Sequence, residues 1–207
     1  AGPPTYICQR ERRRIALRAE GEKQIPFGNG KEKRAGERSM ATNVQLAWLR
    51  NMSTPARLTA HEFGVPASIT LAQAIFESDW GRSQLARRAN NFFGIKALVG
   101  QSYMEFTTRE VVQGRSVLEM AAFAKYPSAI EGFEAHGKLL STLERYKPFM
   151  AEARAGAIYF CCSALYHCGY STDPGYPEKL RGAIEEYGLT QYDITPPETP
   201  AEAKEAA

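Results

Sequence analysis

The sequence predicts a mainly α (α+β) fold, one helical domain carrying a small β-hairpin lobe. Three observations predict it. Apolar residues recur at three- and four-residue steps through most of the stretch from Asn43 to Tyr187, the spacing that gives a helix one buried face. A single interval, residues 101–125, alternates instead and contains a Gln113-Gly114 turn, the pattern of one antiparallel hairpin. A chain of 207 residues has room for one core of ordinary size plus tails.

Residues 1–39 come first and lack any sustained apolar period. They hold ten Lys/Arg against five Asp/Glu, a net of +5 where the whole chain has +3, so the remainder is slightly acidic. This composition predicts a disordered basic extension, either a solvated tail or an electrostatic contact for an anionic polymer. Met40 stands where the pattern becomes regular, which predicts that the protein starts there and that residues 1–39 are an upstream extension. The intact mass of the natively expressed protein tests this.

From Asn43, the apolar positions Val44, Leu46, Trp48, Leu49, Ala56, Leu58 and Phe63 predict one or two short helices broken near Pro55. Gly64 is a helix stop and Pro66 fits a following first turn. The next helix has Ile69, Ala72, Phe76 and Trp80 on one face and Leu71 and Ile75 beside it, an apolar arc wide enough for burial on most sides, ending at Gly81. Glu77 falls in its last turn. The negative end of the helix and the rings of Phe76 and Trp80 both disfavour a carboxylate there, as a general acid requires. A Glu pointing to solvent or pairing with Arg82 is the structural alternative.

Residues 81–89 predict a short helix broken by Asn90-Asn91, and Phe92-Phe93-Gly94-Ile95 a compact apolar turn. The hairpin follows, with Glu110 near its tip and one polar face, as expected of a lobe over a groove. Helices are predicted again after Pro127, near 151–167 and over 177–187, with His136 packed inside the first. The segment from Gly169 to Tyr176 is a polar, aromatic loop, and residues 193–207 are low-complexity and expected to be disordered. The ordered domain is therefore placed at residues 40–192.

Composition narrows the function classes. Hydrophobic content of 43% and charged content of 24% are those of a globular protein. No apolar run approaches the roughly 18 residues of a membrane span, and no apolar stretch with a cleavage site follows the basic N-terminus, so no secretory signal is visible. The charge is too small to argue for nucleic acid. Cys161 and Cys168 lie two helical turns apart, about 10 Å, beyond the reach of a disulfide. With Cys162 they are expected to be buried, reduced thiols, and with Cys8 isolated and only His167 nearby, no metal site is expected.

Three segments resemble glycoside hydrolase family 73, the peptidoglycan-cleaving glucosaminidase domain of bacterial autolysins and flagellar peptidoglycan hydrolases. AQAIFESDWGRSQLARRANNFFGIKA (72–97) resembles the pattern AQAxxESGWGxSxLAxxANNxFGIKx. TTRE (107–110) with FAKYPS (123–128) is similar to the family's T-x-E and FRxYxS strands, and GYSTDPGYPEKL (169–180) to GYATDPxYxxKL. Asp79 departs from the usual Gly and Ala124 from the usual Arg. The first change could perturb Glu77 electrostatically, and the second could weaken the hairpin's anchoring or substrate contact.

The resemblance implies a lysozyme-like fold whose groove binds a glycan strand. It implies hydrolysis of the β-1,4 bond between N-acetylglucosamine and N-acetylmuramic acid, with Glu77 as general acid and Glu110 as the second carboxylate. Trp80, Asn91, Phe93, Tyr126, Tyr170, Thr172 and Asp173 fall at motif positions that shape or line the cleft. No metal or cofactor is implied. The partner is peptidoglycan, at the cell wall, reached by an unidentified route or with an export or structural partner. Two other readings stand beside it: a lytic transglycosylase, although the chain has NNFFGIK where those enzymes have Gly-Leu-Met-Gln, and a peptidoglycan-binding module impaired by Asp79.

Overall fold

The computed structural model describes residues 41–112, 115–171 and 173–193, with the side chains of 108–112 and 115–119 excepted. The expectations for residues 1–39, for Cys8 and for the tail beyond 193 lie outside the described residues.

Helix α1 (Asn43–Phe63) begins at Thr42, whose hydroxyl accepts from the Gln45 N–H while the Gln45 side chain accepts from the Thr42 N–H. It stops at Gly64, in the left-handed region at φ 69°. The expected break near Pro55 does not occur. Proline removes one helical hydrogen bond, a loss of about 3 kcal/mol in an exposed helix. Here Pro55, Ala56 and Thr59 are buried, and packing holds the helix through the gap. Its partner is α4 (Ala129–Thr142). The two approach so closely that a Cβ on Gly137 would lie 2.4 Å from Thr59 Cγ2 and 2.8 Å from Phe63 Cδ2.

Helix α2 (Ala67–Ser78) is the central element: every residue from Ala67 to Ile75 is buried. It contacts α1, the later helices α6 (Ile158–His167) and α7 (Tyr176–Glu186), and the closing 3-10 turn Leu189–Tyr192. Its first turn is tied to the far end of the domain, where Asp193 Oδ1 accepts from the Ser68 N–H at 2.8 Å. A carboxylate at a helix N-terminus satisfies donors that have no partner within the helix. Phe76, expected inside, is 37% exposed, so the buried arc is narrower at the C-terminal end, where Glu77 sits.

Helix α3 (Gln84–Ala89) is capped by Ser83 and ends at Asn90, φ 51°. The hairpin pairs β1 (Tyr103–Val112) with β2 (Arg115–Ala124), antiparallel from Tyr103↔Ala124 to Val112↔Arg115. It is anchored at its base. Lys96 bridges Phe123, the Ala97 N–H donates to Ala122 O at 3.1 Å, and the Ala124 N–H donates to Ile95 O at 2.9 Å. The expected turn residues 113–114 lie outside the described residues.

The single helix expected near 151–167 is two. α5 (Lys147–Arg154) and α6 are separated at Gly156, whose φ of 69° turns the chain. α7 ends before Gly188, φ 59°, as expected. Cys161, Cys162 and Cys168 are buried, and no two of them form a disulfide with each other. Burial drives the Cys161 thiol to about 12 and Cys162 to about 11, so both stay protonated at neutral pH. His136 is 1% exposed and stacks on Phe93, centroids 3.9 Å apart, a packed helix histidine as expected.

Candidate active site

Glu77 is half-buried in the last turn of α2. The Tyr176 hydroxyl donates to Glu77 Oε1 at 3.3 Å, and the Tyr176 phenolic oxygen itself accepts from Gln73 Nε2 at 3.1 Å. Gln73 lies one helical turn before Glu77, which brings both side chains to the same stripe of α2. Tyr176 opens α7 and is buried. Burial, and then the neighbouring charges of Glu77 and Tyr170, hold its phenol well above its ordinary range. It remains a proton donor at neutral pH.

An aromatic column supports this tyrosine. Tyr176 stacks on Tyr170 (5.9 Å, 23°), Tyr170 meets His136 edge to face (6.0 Å, 84°), and His136 stacks on Phe93. Glu77 is thus linked by packed rings to the turn that follows α3. The loop before α7 is held by Asp173, whose Oδ1 accepts from the Gly175 N–H at 2.9 Å and whose Oδ2 accepts from Lys179 Nζ at 2.7 Å. Asp173, expected to bind substrate, spends its carboxylate on the loop that positions Tyr176.

Asn91 has a similar internal task. It is 1% exposed; Nδ2 donates to Ile95 O at 2.8 Å and Ala124 O at 2.9 Å, and Oδ1 accepts from the Ile95 N–H at 3.0 Å. It clasps the turn and fastens the hairpin base in one contact set. Phe93, Tyr126 and Tyr170, expected to shape or line the cleft, are buried, at 5, 7 and 7% exposure.

Trp80 is half-buried and wedged edge to face between Trp48 (5.4 Å) and Tyr187 (4.8 Å), joining the end of α2 to α1 and α7. The chain reaches it through three successive left-handed residues: Asp79 (φ 50°), Trp80 (φ 57°) and Gly81 (φ 72°). The helix therefore stops at Ser78, earlier than the Gly81 stop the sequence suggests. The turn is locked by the Trp80 N–H on Ile75 O at 3.1 Å and by Ser78 Oγ, which accepts from the Gly81 N–H at 2.8 Å.

Asp79 occupies the position where the family pattern has Gly. Its left-handed backbone accounts for that preference, and Asp is among the side chains that tolerate it best. Its carboxylate takes both Nη2 (2.6 Å) and Nε (3.1 Å) of Arg82 at an exposed position. Arg82, the alternative partner for Glu77, is engaged by Asp79.

Glu110 stands on β1 in register with Val117; its side chain and Thr172 lie outside the described residues. Among the described residues no group of three or more His, Cys, Asp or Glu is placed to hold a metal ion, and no helix is long and apolar enough to cross a membrane. Sequence reasoning missed Gln73 and Tyr176 as neighbours of Glu77. Both lie inside the quoted motifs, one at the helical i−4 position and one after the Asp-Pro turn, which was the available signal.

Comparison with known proteins gives the family and the fold. Residues 53–189 match the family model for glucosaminidase, described as mannosyl-glycoprotein endo-beta-N-acetylglucosaminidase. The chain is 35% identical over 158 residues to the exo-glucosaminidase LytG of Bacillus subtilis, covering 74% of this chain and 55% of that protein. It is also 35% identical over 157 residues to a probable N-acetylmuramidase of Lactococcus lactis, covering 74% of this chain and 36% of that one. The chain thus spans about half, or about a third, of these relatives' lengths. The crystal structure of the catalytic domain of the autolysin Auto from Listeria monocytogenes superposes with a TM-score of 0.67 at 32% identity, covering 75% of this chain and 90% of that domain.

Proposed function

Because the chain belongs to the glucosaminidase family, glycoside hydrolase family 73, we propose that it is a peptidoglycan hydrolase that cleaves β-1,4 glycosidic bonds, with Glu77 as the general acid. The reading is carried by one observation: a half-buried carboxyl at the C-terminal end of the buried helix, held by a phenol that keeps its proton. The helix end favours the proton-bearing carboxyl. That proton passes to the glycosidic oxygen as the C1–O bond breaks, and water completes the hydrolysis at C1. Glu110 takes the role of base toward that water, with residues 40–192 forming the catalytic unit.

The relatives support the substrate class. One is named an exo-glucosaminidase and another a probable N-acetylmuramidase, and N-acetylglucosamine and N-acetylmuramic acid alternate in peptidoglycan. The site of action would then be the cell wall. Our preferred scissile bond leaves N-acetylglucosamine at the new reducing end. The muramidase-named relative motivates a second reading, in which N-acetylmuramic acid is left there.

Borohydride reduction and mass spectrometry of the digest separate these outcomes. N-acetylglucosaminitol ends support the glucosaminidase reading, and muramitol ends the alternative. A 1,6-anhydromuramic end would overturn hydrolysis in favour of a transglycosylase. A chain that retains peptidoglycan without digesting it would be a binding module.

A further inference from the structure

We propose that Gln73 is a positioning residue that acts through Tyr176: its amide donates to the phenolic oxygen and so turns the Tyr176 O–H toward Glu77. The inference rests on the reading of Glu77 as the acid.

A phenol has one proton and can send it in either of two in-plane directions. The Tyr176 oxygen accepts from Gln73 Nε2 at 3.1 Å on one side and faces Glu77 Oε1 at 3.3 Å on the other. With an N–H filling the first side, the phenolic proton is left to the second. Gln73 is itself fully buried, in a helix where every neighbour from Ala67 to Ile75 is also buried. Removing an amide from water without full hydrogen bonding costs roughly 1–3 kcal/mol. Gln73 Oε1 is buried with no hydrogen-bond partner among the described residues, so the amide does not satisfy itself locally. Its side-chain amide donates instead to Tyr176, 103 residues along the chain. A leucine or methionine would fill the same space at lower cost, and what they lack is the donor.

The charged and titratable groups around the Tyr176 hydroxyl are Glu77 from α2 and Tyr170 from the loop before α7. Tyr170 stacks on the ring and Glu77 takes the proton. A donor aimed at a carboxyl favours its ionised form. Gln73 therefore opposes the helix end and the burial that favour protonation, and sets the pH above which Glu77 stops delivering its proton. Without it, the acid stays protonated to higher pH and the basic limb of the activity profile moves up.

The test is the pH profile of kcat/KM on soluble glycan fragments for wild type, Gln73→Met, Tyr176→Phe and the double variant. The expected result is an upward shift of the basic limb of roughly half a pH unit for Gln73→Met, with KM little changed. Tyr176→Phe shifts it further, and adding Gln73→Met changes nothing more. An unmoved limb in Gln73→Met, or single shifts that sum in the double variant, overturns the proposal. If Gln73→Met does not fold, the near-isosteric Gln73→Glu takes its place. It offers the phenol a competing acceptor and should move the limb further up; an unmoved limb again overturns the idea. Glu77→Gln, run alongside, separates the two levels. If it remains active, the reading of Glu77 fails; if it is inactive while the limb stays fixed, only the role of Gln73 fails.

Discussion

The phenol of Tyr176 and the carboxyl of Glu77, 99 residues apart in sequence, meet at 3.3 Å where the end of α2 faces the start of α7. The contact joins two of the quoted motifs and puts a neutral donor against the candidate acid.

Removing that donor should affect both chemistry and stability. Tyr176→Phe keeps the ring stacked on Tyr170 and loses two hydrogen bonds, the one it donates to Glu77 and the one it accepts from the buried Gln73 amide, the second loss costing roughly 1–3 kcal/mol of stability. The expected result is a fall in kcat of about tenfold, with the basic limb moved upward and the melting temperature lowered while the protein still folds. Activity equal to wild type across the pH range would show the contact to be incidental.

Asp79 should matter for the backbone, not for the reaction. A β-branched side chain at φ 50° should cost about 1–2 kcal/mol, so Asp79→Val should lower the melting temperature. Asp79→Gly removes the left-handed penalty and an exposed ion pair worth less than about 1 kcal/mol, and adds chain entropy to the unfolded state. Its net effect on stability should be small and its activity that of wild type. A large gain of activity in Asp79→Gly would instead mark Asp79 as an impairing substitution.

The junction between α3 and α4 gives a steric test. A Cβ on Gly132 would lie 2.1 Å from the Asn90 carbonyl oxygen, a backbone atom that cannot swing aside. Gly132→Ala should destabilise the domain by about 1–3 kcal/mol, the usual range for overpacking, measured by denaturant titration. Since Asn90 Nδ2 also donates to Tyr126 O at 3.0 Å, the same variant should loosen the hairpin base. Unchanged stability would mean that α4 can move away without cost.

How much of this was legible in the sequence depended on the range of the interactions. α2 and the position of Glu77 at its end follow from local periodicity, and the hairpin from alternation around a Gln-Gly turn. The family motifs marked the right segments. Continuous α1 was not legible, because Pro55 forbids it locally and only burial against α4 restores it. Neither was the stop at Ser78, since Gly81 is the better local signal and three left-handed residues in a row are stabilised by bonds back to Ile75 and Ser78. The burial of Asn91, Phe93 and Tyr170, at motif positions expected to shape or line the cleft, was not legible from residue type. Their burial depends on partners 33 or more residues away, such as Ala124 and His136.

The thiols predict an alkaline limit. The folded values, about 12 for Cys161 and about 11 for Cys162, lie above the ordinary 9.0. The unfolded chain therefore loses these protons first. The stabilisation is full below pH 9 and declines as pH rises toward the folded values. In a Cys8→Ser variant, a thiol reagent at pH 8 should label the native protein slowly and all three remaining cysteines once urea unfolds it. Rapid labelling of Cys161 or Cys162 in the native state would contradict their burial.

The most direct measurement is peptidoglycan digestion by wild type beside Glu77→Gln, with released fragments quantified by mass spectrometry and folding checked by melting temperature. Glu77→Gln keeps the shape and an acceptor for Tyr176 but has no proton to give. The account predicts that it folds and still binds insoluble peptidoglycan, while release of glycan fragments falls by a factor on the order of 100 to 10,000. A folded Glu77→Gln that releases fragments at the wild-type rate would contradict the assignment of Glu77 as the acid.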